Sequence, residues 1–190
     1  MKTVRIIDLT AEGAFEELLR EVHAGTHIEA PAQLVDSGKR IDEFPVNAFM
    51  TSAVVLDLTS KAPAGVIDDE DLEAAEERAG LSIREGEAVI LSTGAGERSK
   101  AVTYVVLSEN GAEFLEFKHP TMVGTDAPSL DQLENASLPA HTILMRAGIL
   151  VLEGICNLKK IEEPRFRLLA LPLRTRASSS PVRAVALLDD

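Results

Sequence analysis

Seven short apolar runs, at residues 4–7, 53–58, 88–91, 101–107, 149–152, 168–173 and 182–188, cut the chain into pieces of strand length. Each is bounded by Gly, Pro, Ser or charged residues, the pattern of buried strands rather than of long helices. Helix-like segments lie between them. Residues 15–20 are short and amphipathic, and residues 68–80 are the clearest helix: acidic groups fill the first turn, Arg78 closes the last and Gly80 is placed to end it. Ser108 is suited to cap a further helix over residues 108–115. Strands outnumber helices and the two interleave, which predicts one α/β domain over residues 1–190 built on a mixed sheet. Residues 176–181 read as a loop before the last strand.

Composition narrows the partners. With 19 Lys plus Arg against 31 Asp plus Glu, the net charge is −12, and a surface of that sign repels a phosphate backbone, so nucleic acid is excluded. No run approaches the roughly 20 apolar residues of a membrane span. The first eight residues lack the apolar stretch of a secretory signal, and the single cysteine, Cys156, cannot form an internal disulfide; both fit a cytoplasmic location. There is no Trp, one Tyr and six Phe, which leaves little with which to stack a flat aromatic ligand.

The chemistry concentrates around the four histidines. His23-Ala24-Gly25-Thr26-His27-Ile28-Glu29-Ala30-Pro31 sets two imidazoles and a carboxylate within seven positions. Gly25, Thr26 and Pro31 disfavour a helix there, whereas an extended chain puts His23, Gly25, His27 and Glu29 on one face. In a straight strand His23 and His27 would stand about 13 Å apart, so shared ligation requires a bend, which Gly25 permits. Such a donor set suits Zn²⁺ or Mn²⁺. A polar loop with two hydrogen-bonded histidines is the competing reading. Downstream, Glu153 follows four apolar residues and twelve positions earlier stands His141. A carboxylate buried there requires a cation or several donors, the alternative being an edge-strand Glu in solvent.

The run from His23 to Pro31 resembles the H-x-G-T-H-x-D-x-P-x-H signature of the metal-dependent cyclase and kynurenine formamidase family. Gly124-Thr125-Asp126-Ala127-Pro128-Ser129-Leu130-Asp131 resembles that family's G-x-D-x-x-S-x-D segment. His141 to Glu153 with Asn157-Leu158 resembles its second ligand pair, and Ser180-Pro181-Val182-Arg183-Ala184 its closing motif. The match spans residues 8–186. The resemblance implies a swivelling β/β/α fold, a homodimer or homotetramer, and a centre of one or two Zn²⁺ or Mn²⁺ ions acting on amide, lactam or related cyclic C–N bonds of a small-molecule substrate. It implies His23, His27 and Glu29 as ligands from the first motif, and His141 and Glu153 as a second set.

Departures from the family pattern bear on catalysis. Gln33 stands where the motif ends in a proton-shuttling His; an amide exchanges hydrogen bonds but takes no proton near neutral pH. Proton transfer then falls to Glu29, Glu153 or solvent. Glu29 is one methylene longer than the usual Asp, the arm before His23 is short, and the stretch before Gly124 lacks the aromatics of relatives. These features define a rival expectation, a catalytically degenerate member kept as a metal-stabilised binding or structural oligomer, and a weaker one with no metal at all. Among the remaining residues, His119 reads as a turn residue, Cys156 as a small core residue and Gly94-Ala95-Gly96 as a loop rather than a phosphate cradle. Asp126, Ser129 and Asp131 are expected to hold a turn and cap a helix beginning near Leu130. Arg183 is expected to pair with an acidic residue or a substrate carboxylate.

Overall fold

The computed structural model describes residues 4–11, 25–97 and 103–189. The expected short helix at 15–20 and His23 lie outside these residues. Strand β3 (Met50–Asp57) leads through α1 (Asp69–Ala79) to β5 (Ala88–Ser92), β5 through α2 (Glu109–Phe117) to β7 (Met122–Thr125), and β7 through α3 (Pro139–Arg146) to β8 (Leu150–Glu153). These four strands are mutually parallel and adjacent in the order β8-β7-β5-β3, the outcome of successive β-α-β crossovers. The antiparallel strands β1 (Val4–Asp8), β2 (His27–Glu29), β9 (Arg165–Pro172) and β10 (Ser179–Asp189) complete the sheet. β10 is long enough to pair β2 through residues 179–181, β9 through 182–187 and β1 through 185–189, so the sheet curls into a barrel-like closure. The mixed α/β class expected from the strand-and-helix pattern is the class observed.

Alternation along the strands makes two cores. Ile28, Ala53, Ala88, Ile90, Met122, Leu150, Leu152, Ala170, Ala184 and Ala186 point into the closed sheet, larger Ile, Leu and Met side chains alternating with alanines to fill it. The intervening residues Val54, Leu56, Val89, Leu91, Val123 and Val151 face outwards and are covered by Leu72 and Ala75 of α1, Ala112 and Leu115 of α2, and Ala140, Leu144 and Met145 of α3.

The helices begin and end as their sequences dictate. Asp68 accepts from Asp71 N while the Asp71 carboxylate accepts from Asp68 N, a reciprocal cap, and Gly80 terminates α1 in the left-handed region at φ 63°. The Ser108 hydroxyl accepts from Gly111 N at 3.0 Å to open α2.

Three expectations are corrected. Of residues 101–107 only Val106–Leu107 is strand among the described residues; this β6 pairs in parallel with β4 (Val66–Ile67) in a separate two-stranded sheet and runs directly into Ser108, the cap of α2. The presumed loop 176–181 already belongs to β10 from Ser179, where it pairs with Glu29. No helix begins near Leu130: residues 130–138 are turns, and α3 starts at Pro139, a residue preorganised for a first helical turn. Among the described residues no helix is long and apolar enough to cross a membrane.

Candidate metal centre

β2 is three residues long, wholly buried, and wedged between β10 and β8. Ile28 points into the barrel, so His27 and Glu29 project from the opposite face, beneath the helices. In β8, Leu152 points into the barrel and Glu153 therefore joins them; His27 and Glu153 are direct cross-strand partners. His141 comes from the first turn of α3, on the buried face that also carries Ala140, Leu144 and Met145.

Four side chains from three elements thus converge. His27 Nε2 lies 3.3 Å from Glu153 Oε2 and 3.7 Å from Glu29 Oε1. His141 Nε2 lies 3.0 Å from Glu153 Oε1 and 3.5 Å from Glu29 Oε2. Each carboxylate therefore turns one oxygen to each imidazole. Donor atoms of His27, Glu29 and Glu153 all fall within 4.8 Å of one another, and every one of the four residues is at most 5% exposed.

The outer nitrogens of both rings are held as well. His27 Nδ1 stands 3.0 Å from the carbonyl of Gly25 and, facing an acceptor, must carry the hydrogen. His141 Nδ1 stands 2.7 Å from Asp131 Oδ2, again an acceptor. Both rings consequently present Nε2 to the carboxylates. The backbone that allows this is unusual: Gly25 lies at φ 69° and Gly154, directly after Glu153, at φ 66°, where an added Cβ would stand 2.5 Å from the Gly25 oxygen. Thr26 Oγ1 ties the two segments by donating to Gly154 O at 2.6 Å.

Electrostatics mark the cluster as a place for positive charge. Burial works against a charged imidazole at His27, but Glu153 and Glu29 outweigh it and push the ring up to about 10. At His141 burial is likewise outweighed, here by Asp131 and Glu153, and the ring again rises to about 10. Burial would raise Glu153, yet His141 and His27 hold its carboxyl below the usual range. Two buried carboxylates demand cationic company, and two imidazoles with two carboxylates are the donor chemistry that a divalent ion satisfies in place of the ring protons.

The amide oxygen of Gln33, in the 3₁₀ turn Pro31–Gln33 that follows β2, accepts from Ser178 Oγ at 2.5 Å. His119 is an exposed residue at φ 52° after α2, where its carbonyl accepts from Gly86 N. Arg183 pairs with Asp8 through two contacts, Nη2 to Oδ2 at 2.5 Å and Nε to Oδ1 at 3.1 Å, which decides between the two partners considered for it. Cys156 is half-buried and its sulfur accepts from Asn157 Nδ2. The alternative of Glu153 at a solvent edge is excluded by its burial.

Sequence reasoning missed the part played by Asp131. It does cap a helix, but one that starts eight residues further on, accepting from Ala140 N at 3.1 Å and His141 N at 3.0 Å. It missed too the backbone N–H of Leu130, which donates to Glu153 Oε1 at 2.8 Å.

The Cyclase family model matches residues 7–132, and the chain belongs to that family. A kynurenine formamidase of Salinibacter ruber is 34% identical over 169 residues, covering 86% of this chain and 74% of that protein. A kynurenine formamidase of Bacillus cereus is 32% identical over 172 residues, covering 89% and 78%. Two solved structures share the fold: isatin hydrolase A from Labrenzia aggregata bound to benzyl benzoate, with TM-score 0.85, 23% identity and 98% and 94% of the two chains covered, and a potential metal-dependent hydrolase with cyclase activity, with TM-score 0.82, 24% identity and 99% and 100% covered.

Proposed function

We propose that this protein is a metal-dependent hydrolase that opens a C–N amide, lactam or related cyclic bond of a small molecule, holding one or two Zn²⁺ or Mn²⁺ ions. The observation that carries the reading is the convergence of two buried imidazoles and two buried carboxylates with both Nε2 atoms turned inwards. His27, Glu29, His141 and Glu153 would hold the ion or ions, joined by His23 from outside the described residues. A divalent ion at such donors polarises a carbonyl and brings the pKa of water from about 15.7 towards 7.

The chain's own groups divide the remaining labour. Glu29 and Glu153 each face both imidazoles, so either carboxylate is placed to accept a proton and return it to the departing amine. Gln33, its amide fixed by Ser178, orients by hydrogen bonding and carries no proton. The rival reading of a degenerate structural oligomer is not favoured: the curated relatives are enzymes, and His27, Glu29, His141 and Glu153 converge. The scarcity of aromatics argued against aromatic amides, yet the relatives' names put N-formyl anilines and isatin first among compounds to test, followed by aliphatic lactams and cyclic imides.

Assembly as a homodimer or homotetramer is supported by the outward-facing apolar residues Ile6, Met50 and Leu171 on β1, β3 and β9, exposed by 65%, 42% and 45%. The single cysteine supports a reducing, cytoplasmic setting. The deciding experiment loads dialysed protein with Zn²⁺ or Mn²⁺ and measures metal content and turnover of that panel. About one or two ions per chain and a turnover abolished by Glu29→Gln are expected; a loaded wild type with neither metal nor turnover overturns the proposal.

A further inference from the structure

Asp131 stands on none of the elements that supply the four converging donors, yet it touches one of them directly. Its Oδ2 lies 2.7 Å from His141 Nδ1, and both residues are 3% exposed. From these contacts we infer that Asp131 is a positioning residue, fixing the ring and tautomer of His141 so that Nε2 offers a lone pair to a divalent cation. The inference rests on the metal reading proposed above.

The carboxylate grips both the ring and the backbone of its target. Oδ1 accepts from Ala140 N, and Oδ2 accepts from both His141 N and His141 Nδ1. The first turn of α3 has no side-chain cap of its own, since its N-cap position is Leu138 at φ 40°. A single group thus sets the position of the backbone that carries the imidazole and the rotation of the imidazole itself. Asp131 is in turn held by the chain around it: its N–H donates to Ser129 Oγ at 3.3 Å and its carbonyl accepts from the Tyr104 hydroxyl at 2.9 Å. One residue earlier, Leu130 N donates to Glu153 Oε1. The turn 129–131 therefore orients two donors that also meet each other, His141 of α3 and Glu153 of β8.

The charge of the carboxylate is needed for this, not only its shape. An asparagine has one acceptor and one donor end. With its oxygen in the Oδ2 place, the NH₂ opposes Ala140 N–H; with the NH₂ there, it opposes His141 N–H and forces the ring hydrogen onto Nε2, the atom that must stay bare to bind a cation. Outer partners of ligating histidines typically contribute 10–100-fold in metal affinity.

The test compares wild type with Asp131→Asn. Zinc affinity is measured by competition with a chromophoric chelator, melting temperature is measured in EDTA and in zinc, and the His141 ring is read by long-range ¹H–¹⁵N NMR, with His141→Gln assigning its signals. The inference expects a hydrogen on Nδ1 of His141 in zinc-loaded wild type, and a zinc Kd raised roughly 10–100-fold in Asp131→Asn with a smaller zinc-induced rise in melting temperature. A residue that merely caps the helix lowers both melting temperatures equally and leaves the zinc Kd alone, which overturns the inference while the metal reading stands. A wild type that binds neither zinc nor manganese overturns both. Should Asp131→Asn not fold, the wild-type spectrum decides: a His141 ring with its hydrogen on Nε2 refutes the positioning role.

Discussion

His27 and Glu153 face each other across the antiparallel pair of β2 and β8, and their side chains meet with Nε2 3.3 Å from Oε2. Register alone therefore brings together two residues 126 positions apart. Two strands with buried hydrophobic neighbours on the opposite face cannot slip by one residue without turning Ile28 and Leu152 out of the core, so the packing that stabilises the barrel also fixes the polar pair.

Glu153→Gln removes one of the two negative charges on which the cluster depends. The amide keeps the volume but offers a weaker donor and no proton acceptor. Metal content after dialysis is expected to fall below stoichiometry, and turnover by at least ~10²-fold, the usual scale for loss of a general base. Elemental analysis alongside single-substrate kinetics checks this, and full metal occupancy with unchanged kcat would contradict it.

Gly154→Ala tests the backbone beneath the site. At φ 66° an L side chain is strained by about 1–2 kcal/mol, and the new Cβ would stand 2.5 Å from the Gly25 carbonyl, the same carbonyl that holds His27 Nδ1. Urea unfolding is expected to show a loss of at least ~1–2 kcal/mol together with weaker metal binding. Wild-type stability and affinity would show that the two glycine segments can part without consequence.

The pH dependence of stability is expected to report Glu87, which is 4% exposed. Burial raises its carboxyl, but Arg165, the Arg84 N–H and the Ser52 hydroxyl outweigh burial and hold it below the usual value of 4.5. A folded-state value below the unfolded one means that the stabilisation is fully present above the unfolded pKa and is lost as pH falls through the folded one. Wild type and Glu87→Gln should accordingly differ most above the ordinary carboxyl value of 4.5, and the difference should shrink progressively as pH falls below it, measured as urea unfolding free energies. A difference that stays constant down to pH 3 would rule out the ion pair with Arg165 as its source.

Local signals made part of this architecture legible. α1 is readable because its cap, first-turn acids and terminal Gly80 all lie within its own thirteen residues, 68–80. α3 is not, because its cap comes from Asp131, eight positions before Pro139, and no window of local sequence links the two. β2 is too short at three residues to show a period, and Gly124 interrupts the apolar pattern of β7. Of the site, His27, Glu29, His141 and Glu153 are legible through the resemblance of their segments to the family's ordered motifs, and the fold brings these four together. What spacing could not reveal is which groups face the outer nitrogens of the rings, since the Gly25 carbonyl and the Asp131 carboxylate act through geometry rather than through residue type.

Gln33 offers the test that bears most directly on rate. It ends the first motif where the family carries a proton-shuttling His, and its amide now accepts from Ser178. On the proposed reading protons pass through Glu29, Glu153 or solvent, and with both carboxylates engaged by imidazoles the protein is expected to turn over slowly. Gln33→His restores a group whose ordinary pKa is near 6.5, so kcat should rise by about 10²-fold or more, and its pH profile should gain a limb near neutrality that the parent lacks. Metal content is measured alongside, because an added imidazole is itself a ligand for a divalent ion. A variant with wild-type kcat and an unaltered pH profile would mean that the carboxylates already carry the proton efficiently, and that glutamine at this position reflects a substrate whose leaving group requires no further acid.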